Sequence, residues 1–246
     1  AKSGLGETNG WWNCILTDDI NGDGYLDLVV GNLGNNSKIW ASKSEPATIY
    51  IGDFDHNGIT EQIICYYKNG KSYPMVLRPD LIYQIPMLKD QFPTHADYAG
   101  KQITDIFTVE QLKNSITKNA YTFANAIFYG NKIGTFSYQP LPNEAQFSPV
   151  YAIMSVDFNS DGWKDLLLGG NFYGVNPQRG RYDASHGIIL NGDGSKGFIP
   201  MSIQESGLNV TGQVRDIISI TYQQDHEAIL FAKNNDKIQV YTVVNN

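Results

Sequence analysis

Asp157-Phe158-Asn159-Ser160-Asp161-Gly162-Trp163-Lys164-Asp165 runs directly into Leu166-Leu167-Leu168-Gly169-Gly170-Asn171. The same pattern occurs at Asp19-Ile20-Asn21-Gly22-Asp23-Gly24-Tyr25-Leu26-Asp27, followed by Leu28-Val29-Val30-Gly31-Asn32. A third copy, Asp53-Phe54-Asp55-His56-Asn57-Gly58-Ile59-Thr60-Glu61, leads into Gln62-Ile63-Ile64-Cys65-Tyr66. Each has an acid at position 1, oxygen-bearing side chains at 3 and 5, Gly at 6 and an acid at 9. Oxygens at 1, 3 and 5 with a backbone carbonyl at 7 can converge on one hard cation, and the Gly lets the chain wrap around it. An EF-hand would place a bidentate Glu at position 12 on an exiting helix. Here the acid comes at 9 and is followed by a β-branched, apolar run that reads as a strand. Asp, Asn and Gly also make ordinary turns, but three copies in one register favour a strand-loop-strand Ca²⁺ site.

The oxygen-bearing positions of this pattern are Asp19, Asn21, Asp23 and Asp27 with the Tyr25 carbonyl in the first loop. In the second they are Asp53, Asp55, Asn57 and Glu61 with the Ile59 carbonyl. In the third they are Asp157, Asn159, Asp161 and Asp165 with the Trp163 carbonyl. Asn at position 5 and the longer Glu at position 9 make the second loop the weakest of the three.

The chain has 246 residues, 41% of them hydrophobic and 12% aromatic, enough for one large all-β domain or two small ones. Its formal charge of -7 argues against nucleic acid as a partner. The three loops hold nine carboxylates, so the rest of the chain carries +2, and three Ca²⁺ would bring the whole to -1. Two cysteines, Cys14 and Cys65, are too few for a disulfide framework. They could pair, but both sit in apolar strands, where buried thiols are the better reading. No apolar run approaches the ~20 residues of a membrane helix. The chain starts at Ala1, so any targeting segment is expected to have been removed or to lie upstream.

Strand texture surrounds the loops. Trp11–Leu16 and Leu26–Val30 flank the first, with Ile39–Ala41 as a short third strand. Ala47–Gly52 and Ile63–Tyr67 flank the second, and Ser72–Val76 completes a hairpin. From Arg78 to Lys118 the pattern shifts to helical spacing, with Pro79 and Pro93 as punctuation. Strand pattern returns at Tyr121–Tyr129 and Thr135–Gln139, then at Val150–Val156 and Asp165–Gly169 around the third loop. Gly187–Leu190, Phe198–Ile203, Val214–Thr221, Ala228–Lys233 and Ile238–Val244 follow. Asn191-Gly192-Asp193-Gly194 lacks a later acid and reads as a turn. Four-strand repeats of this kind predict β-propeller blades: four of them, at 11–45, 46–141 with a helical insertion at 78–118, 148–206 and 211–245. The strand before each loop is expected to be innermost. A chain that starts inside a repeat implies further blades upstream.

DINGDGYLDLVVGN and DFNSDGWKDLLLGGN resemble the FG-GAP/VCBS repeats of integrin-α-type seven-bladed propellers, in which such loops bind Ca²⁺. Residues 137–171 and 179–198, and the helical stretch after Tyr83, resemble the C-terminal region of large Bacteroidetes VCBS-repeat proteins, often with an ASPIC/UnbV segment. That resemblance implies an exported or outer-membrane surface protein, with a protein partner or the remaining blades beside it, and a glycan as another candidate ligand.

Signs of catalysis are sparse. The four histidines His56, His95, His186 and His226 are scattered, and no G-x-S-x-G, H-E-x-x-H or phosphate-loop motif is present. Gly180-Arg181-Tyr182-Asp183-Ala184-Ser185-His186 is the one polar cluster that could line a site, and loop chemistry explains it equally well. The expected function is therefore a Ca²⁺-stabilised binding or scaffold module. The alternative is a glycan-active hydrolase or lyase, or a lectin, on the same propeller. Trp11, Trp12, Tyr173 and Tyr182 are either contact residues or blade packing.

Overall fold

The computed structural model describes residues 3–176, 180–222 and 226–242. In chain order the strands are β1 (Cys14–Asp18), β2 (Asp27–Gly31), β3 (Ala47–Gly52), β4 (Glu61–Lys68) and β5 (Lys71–Pro74). Five short helices follow: α1 (Arg78–Gln84), α2 (Leu88–Gln91), α3 (His95–Tyr98), α4 (Ile103–Ile106) and α5 (Val109–Asn114). Then come β6 (Ile116–Ala120), β7 (Ala126–Tyr129), β8 (Ser137–Pro140), β9 (Val150–Val156) and β10 (Asp165–Gly170). The chain continues with β11 (Ile188–Gly192), β12 (Phe198–Pro200), α6 (Ile203–Ser206), β13 (Val214–Tyr222), β14 (His226–Lys233) and β15 (Gln239–Thr242). The protein is all-β in class: its strands form antiparallel sheets ordered β1-β2-β7-β8, β5-β4-β3-β6, β12-β11-β10-β9 and β13-β14-β15.

The sheets do not follow the windows 11–45 and 46–141. Strands β7 and β8, on the far side of the helices, complete the sheet of the first loop, with Leu28 opposite Phe128 and Val30 opposite Ala126. The physical reason is edge supply. Strand β3 is paired by β4 and β6, and β4 also by β5, so the second sheet already has four strands. Of the expected strand Tyr121–Tyr129 only Ala126–Tyr129 forms one, β7; β6 precedes it and takes residues 116–118 from the expected helical stretch, and Ile39–Ala41 forms no strand. Of the expected last strand, residues 243–244 lie outside the described residues.

Two compact units result, one of residues 1–6, 11–37 and 123–246, the other of 7–10 and 38–122. In the first, three sheets stack. Val29, Ile127 and Tyr129 of the first sheet share a core with Val150, Leu166, Leu168 and Leu190 of the third. The opposite face of β10 presents Leu167, which joins Ile189, Val214, Ile217, Ile229 and Phe231 in the core shared with the fourth sheet. Every residue of β10 is buried, as a central strand between two packed faces requires. Around the first and third loops burial is greater on the strand leaving the loop than on the one entering it: Ile15 of β1 is 62% exposed, whereas Val29 of β2 is wholly buried. β1 lies at a sheet edge, while β2 is paired on both sides.

In the second unit, β4 alternates, burying Glu61, Ile63 and Cys65. Ile63 and Cys65 meet Leu81, Ile85, Leu88, Phe92, Ile103, Ile106 and Phe107 from the helices, with Phe54 of the second loop in the same core. Capping boxes at Thr94/Asp97 and Thr108/Gln111 set the starts of α3 and α5. Both cysteines are free.

Leu167→Ala should therefore destabilise the chain by about 2–5 kcal/mol, because it opens a cavity between two sheets. Ile199→Ala, at a position 65% exposed, should shift the urea midpoint within about 0.5 kcal/mol. Equal shifts for the two would mean that the stacked core is not what holds this unit.

Candidate metal centre

The three loops are wired alike from the backbone up. In the first, the Asp19 carboxylate accepts the N–H groups of Asp23 at 3.1 Å and Gly24 at 2.8 Å. In the third, Asp157 accepts those of Asp161 at 3.1 Å and Gly162 at 2.8 Å. In the second, Asp53 accepts those of Asn57 at 3.0 Å and Gly58 at 2.9 Å. Position 3 also accepts the position-5 N–H, and position 5 that of position 7. The side-chain oxygens of positions 1, 3 and 5 are thereby turned into the loop. Gly24, Gly58 and Gly162 have φ of 85°, 85° and 90°. Position 4 is left-handed too, with φ of 70° at Gly22, 58° at His56 and 59° at Ser160. That second constraint is hidden in the sequence because only one of the three residues is Gly.

The acid at position 9 locks each loop to its sheet. Asp27, Glu61 and Asp165 are almost wholly buried. Each accepts the position-2 N–H: Ile20 at 3.1 Å, Phe54 at 2.8 Å and Phe158 at 2.9 Å. This seats the position-2 side chain in a core. The other oxygen of Asp27 accepts the N–H of Gly130 at 2.8 Å, just after β7, and that of Asp165 accepts Gly192 at 2.9 Å, at the end of β11. Each aspartate therefore ties its loop to the third strand of its own sheet.

Glu61 differs. Its Oε1 is buried without a hydrogen-bond partner, and a carboxylate oxygen from each of Asp53, Asp55 and Glu61 lies within 4.8 Å of the others. Three converging carboxylates, one with an orphaned buried oxygen, fit a hard divalent cation better than they fit a simple turn. The loop expected to be weakest is the one whose acids the structure draws together. The longer Glu side chain and the lack of a third-strand N–H to occupy it explain why.

Electrostatics separates the loops further. Burial pushes the Asp27 and Asp165 carboxyls above the ordinary carboxylate value, and the other two acids of each loop push the same way. Hydrogen bonding from the Gly58 N–H holds Asp53 below it. Burial raises the Cys14 thiol to about 11 and Cys65 to about 12, which suits structural thiols.

One of these loops matches a known family. An FG-GAP repeat lies at residues 15–41. The repeat takes in most of β1, the first loop, β2 and the turn behind it. Comparison with curated proteins and with solved structures gave no match.

The Asn that follows the apolar run behind the first loop has a role that spacing did not reveal. Asn32 Oδ1 accepts the Trp11 N–H at 3.1 Å, and the Asn32 N–H donates to Asn125 Oδ1 at 2.6 Å. Its counterpart Asn171 accepts from Ser148 Oγ at 2.7 Å and donates to the carbonyls of Ser185 and Gly212. These buried amides bind the ends of the stacked strands to their connections. The Gly180–His186 cluster is spent in the same way. His186 Nδ1 meets Asn209 Oδ1 at 3.0 Å, and Ser185 Oγ accepts the Gly187 N–H at 3.2 Å, so no Ser-His pair forms. Trp12 packs edge-on to Phe128 with Leu5 and Phe136 nearby, and Arg181 lies over the Tyr173 ring.

A native carboxyl with a raised pKa holds its proton more tightly than in the unfolded chain. In chelator, the contribution of Asp27 and Asp165 to stability should thus fall as pH rises from the unfolded carboxylate value through their raised native values. Urea titrations between about pH 4 and pH 7 should show this component disappear in the Asp27→Asn/Asp165→Asn double variant. An unchanged pH profile would place both carboxyls in water. Neither cysteine should react with a thiol reagent near neutral pH until the chain unfolds.

Proposed function

We propose that the chain is a Ca²⁺-stabilised binding or scaffold module built from FG-GAP blades, acting outside the cytoplasm at a bacterial surface. The observation that carries the metal reading is the second loop, where Glu61 Oε1 is buried and unpaired beside the carboxylates of Asp53 and Asp55. The shared backbone wiring extends the reading to the first and third loops. Asp19, Asn21, Asp23, Asp27 and the Tyr25 carbonyl would hold one ion, and Asp157, Asn159, Asp161, Asp165 and the Trp163 carbonyl another. Asp53, Asp55, Asn57, Glu61 and the Ile59 carbonyl would hold the third. The cation would neutralise acids that otherwise repel one another, and so brace the position-2 plugs.

The three stacked sheets of the first unit support blades of an integrin-α-like propeller, for which the family expectation is seven. The Bacteroidetes surface setting rests on the sequence resemblance alone. A partner, either further blades or another protein, is supported by the outer face of the last sheet. Ile218, Tyr222 and Val240 there are 49%, 37% and 56% exposed, more apolar surface than an isolated face favours.

Calcium should raise the melting temperature and EDTA should lower it. Binding to the folded state alone stabilises by about 2.7 kcal/mol per site at a hundredfold excess over Kd. Glu61→Gln should remove one site while Asp161→Ala removes a different one, so their losses should add. Superimposable melts with and without chelator would reduce the loops to turns.

A further inference from the structure

Beside the second loop the structure holds a cavity of about 460 Å³, bounded by Asp53, Phe54 and His56 on one side and by Glu110, Gln111 and Asn114 of α5 on the other. That volume is within the range of small-molecule sites, roughly 300–1,000 Å³. Some of the wall is already committed. Gln111 Nε2 donates to the Phe54 carbonyl at 2.9 Å, and Gln111 Oε1 accepts from Thr108. The Asp53 oxygens accept backbone N–H groups. The side chains of His56, Glu110 and Asn114 keep their hydrogen-bonding capacity, and no lysine or arginine lines the cavity. Phosphate and other anions would meet the carboxylates of Asp53 and Glu110 with no lysine or arginine beside them, which disfavours them. An ammonium would find Glu110 as its one uncommitted carboxylate, since the Asp53 oxygens accept backbone N–H groups. Hydroxyl groups both donate and accept, and the mixed set of one carboxylate, one amide and one imidazole matches them.

We propose that this cavity binds a neutral polyhydroxylated group, one sugar residue of a glycan, held by Glu110, Asn114 and His56. The inference deepens the binding-module reading and rests on the Ca²⁺ assignment only for the placement of Asp53 and His56. The first and third loops serve as internal controls, since neither contributes a residue to this cavity.

Saturation-transfer NMR on the whole chain in millimolar Ca²⁺ tests it, with mannose, galactose and N-acetylglucosamine as probes and ethanolamine and inorganic phosphate as counter-probes. At least one sugar should give transfer. Glu110→Gln and Asn114→Ala, both at exposed positions, should each weaken it about tenfold or more without moving the melting temperature. Asp161→Ala should leave it unchanged. Terbium luminescence reports the second loop separately through its loss in Glu61→Gln. Terbium binding with no sugar signal, with a signal indifferent to Glu110 and Asn114, or with ethanolamine or phosphate bound in place of sugar overturns the inference and leaves the metal reading standing. Sugar binding that depends on Glu110 and Asn114 but survives EDTA sustains the inference and separates it from the metal.

Discussion

The structure depends on a buried carboxylate that accepts the N–H seven residues before it. Asp27, Glu61 and Asp165 each close a nine-residue loop in this way, at 3.1, 2.8 and 2.9 Å. Burying a charge is costly unless it is paired and hydrogen-bonded, so this geometry is stable only if the rest of the loop answers it. The backbone N–H groups answer in part. A divalent cation would answer the remainder. The same bond fixes the position-2 side chain, and with it the packing: Ile20 enters the core between the first and third sheets, and Phe54 the core under the helices.

The two environments of this acid divide the loops by role. Where it is Asp, its second oxygen takes the N–H of Gly130 or Gly192, so the loop serves as a clamp on the third strand. That clamp accounts for the return of β7 to β2 after the intervening second unit. At Gly130 a Cβ would lie 2.2 Å from the Leu26 carbonyl, so only Gly lets the chain come close enough. Where the acid is Glu, the longer arm reaches back toward Asp53 and Asp55, and no third-strand N–H occupies it.

Much of this was legible in the residues. The three loops, the strands beside them and most of the helical stretch follow from spacing and local chemistry, whereas the turn expected at Asn191–Gly194 starts only at Asp193, because Asn191 and Gly192 end β11. Strand partners did not, because pairing is decided by which edges remain open, and windows of adjacent sequence carry no record of that. Ala126-Ile127-Phe128-Tyr129 is apolar at every position, a pattern that fits burial on both faces but names no neighbour. Burial misled for a related reason. Cys14-Ile15-Leu16 is apolar, yet an edge strand leaves Ile15 exposed. The left-handed backbone at His56 and Ser160 was hidden because residues other than Gly occupy the position.

Residue type also ranked the second loop as the weakest of the three. By residue type, the second loop departs from the pattern at two positions, both of which look like losses. The structure makes one of them the distinguishing gain. Replacing Asp by Glu at position 9 costs nothing at the Phe54 N–H, because one carboxylate oxygen still reaches it. It frees the other oxygen from the sheet, because β5 pairs only with Cys65–Lys68 of β4 and stops short of Glu61. The cavity lies between this loop and α5. A single methylene thus separates a carboxylate tied to its sheet by both oxygens from one with an oxygen left over.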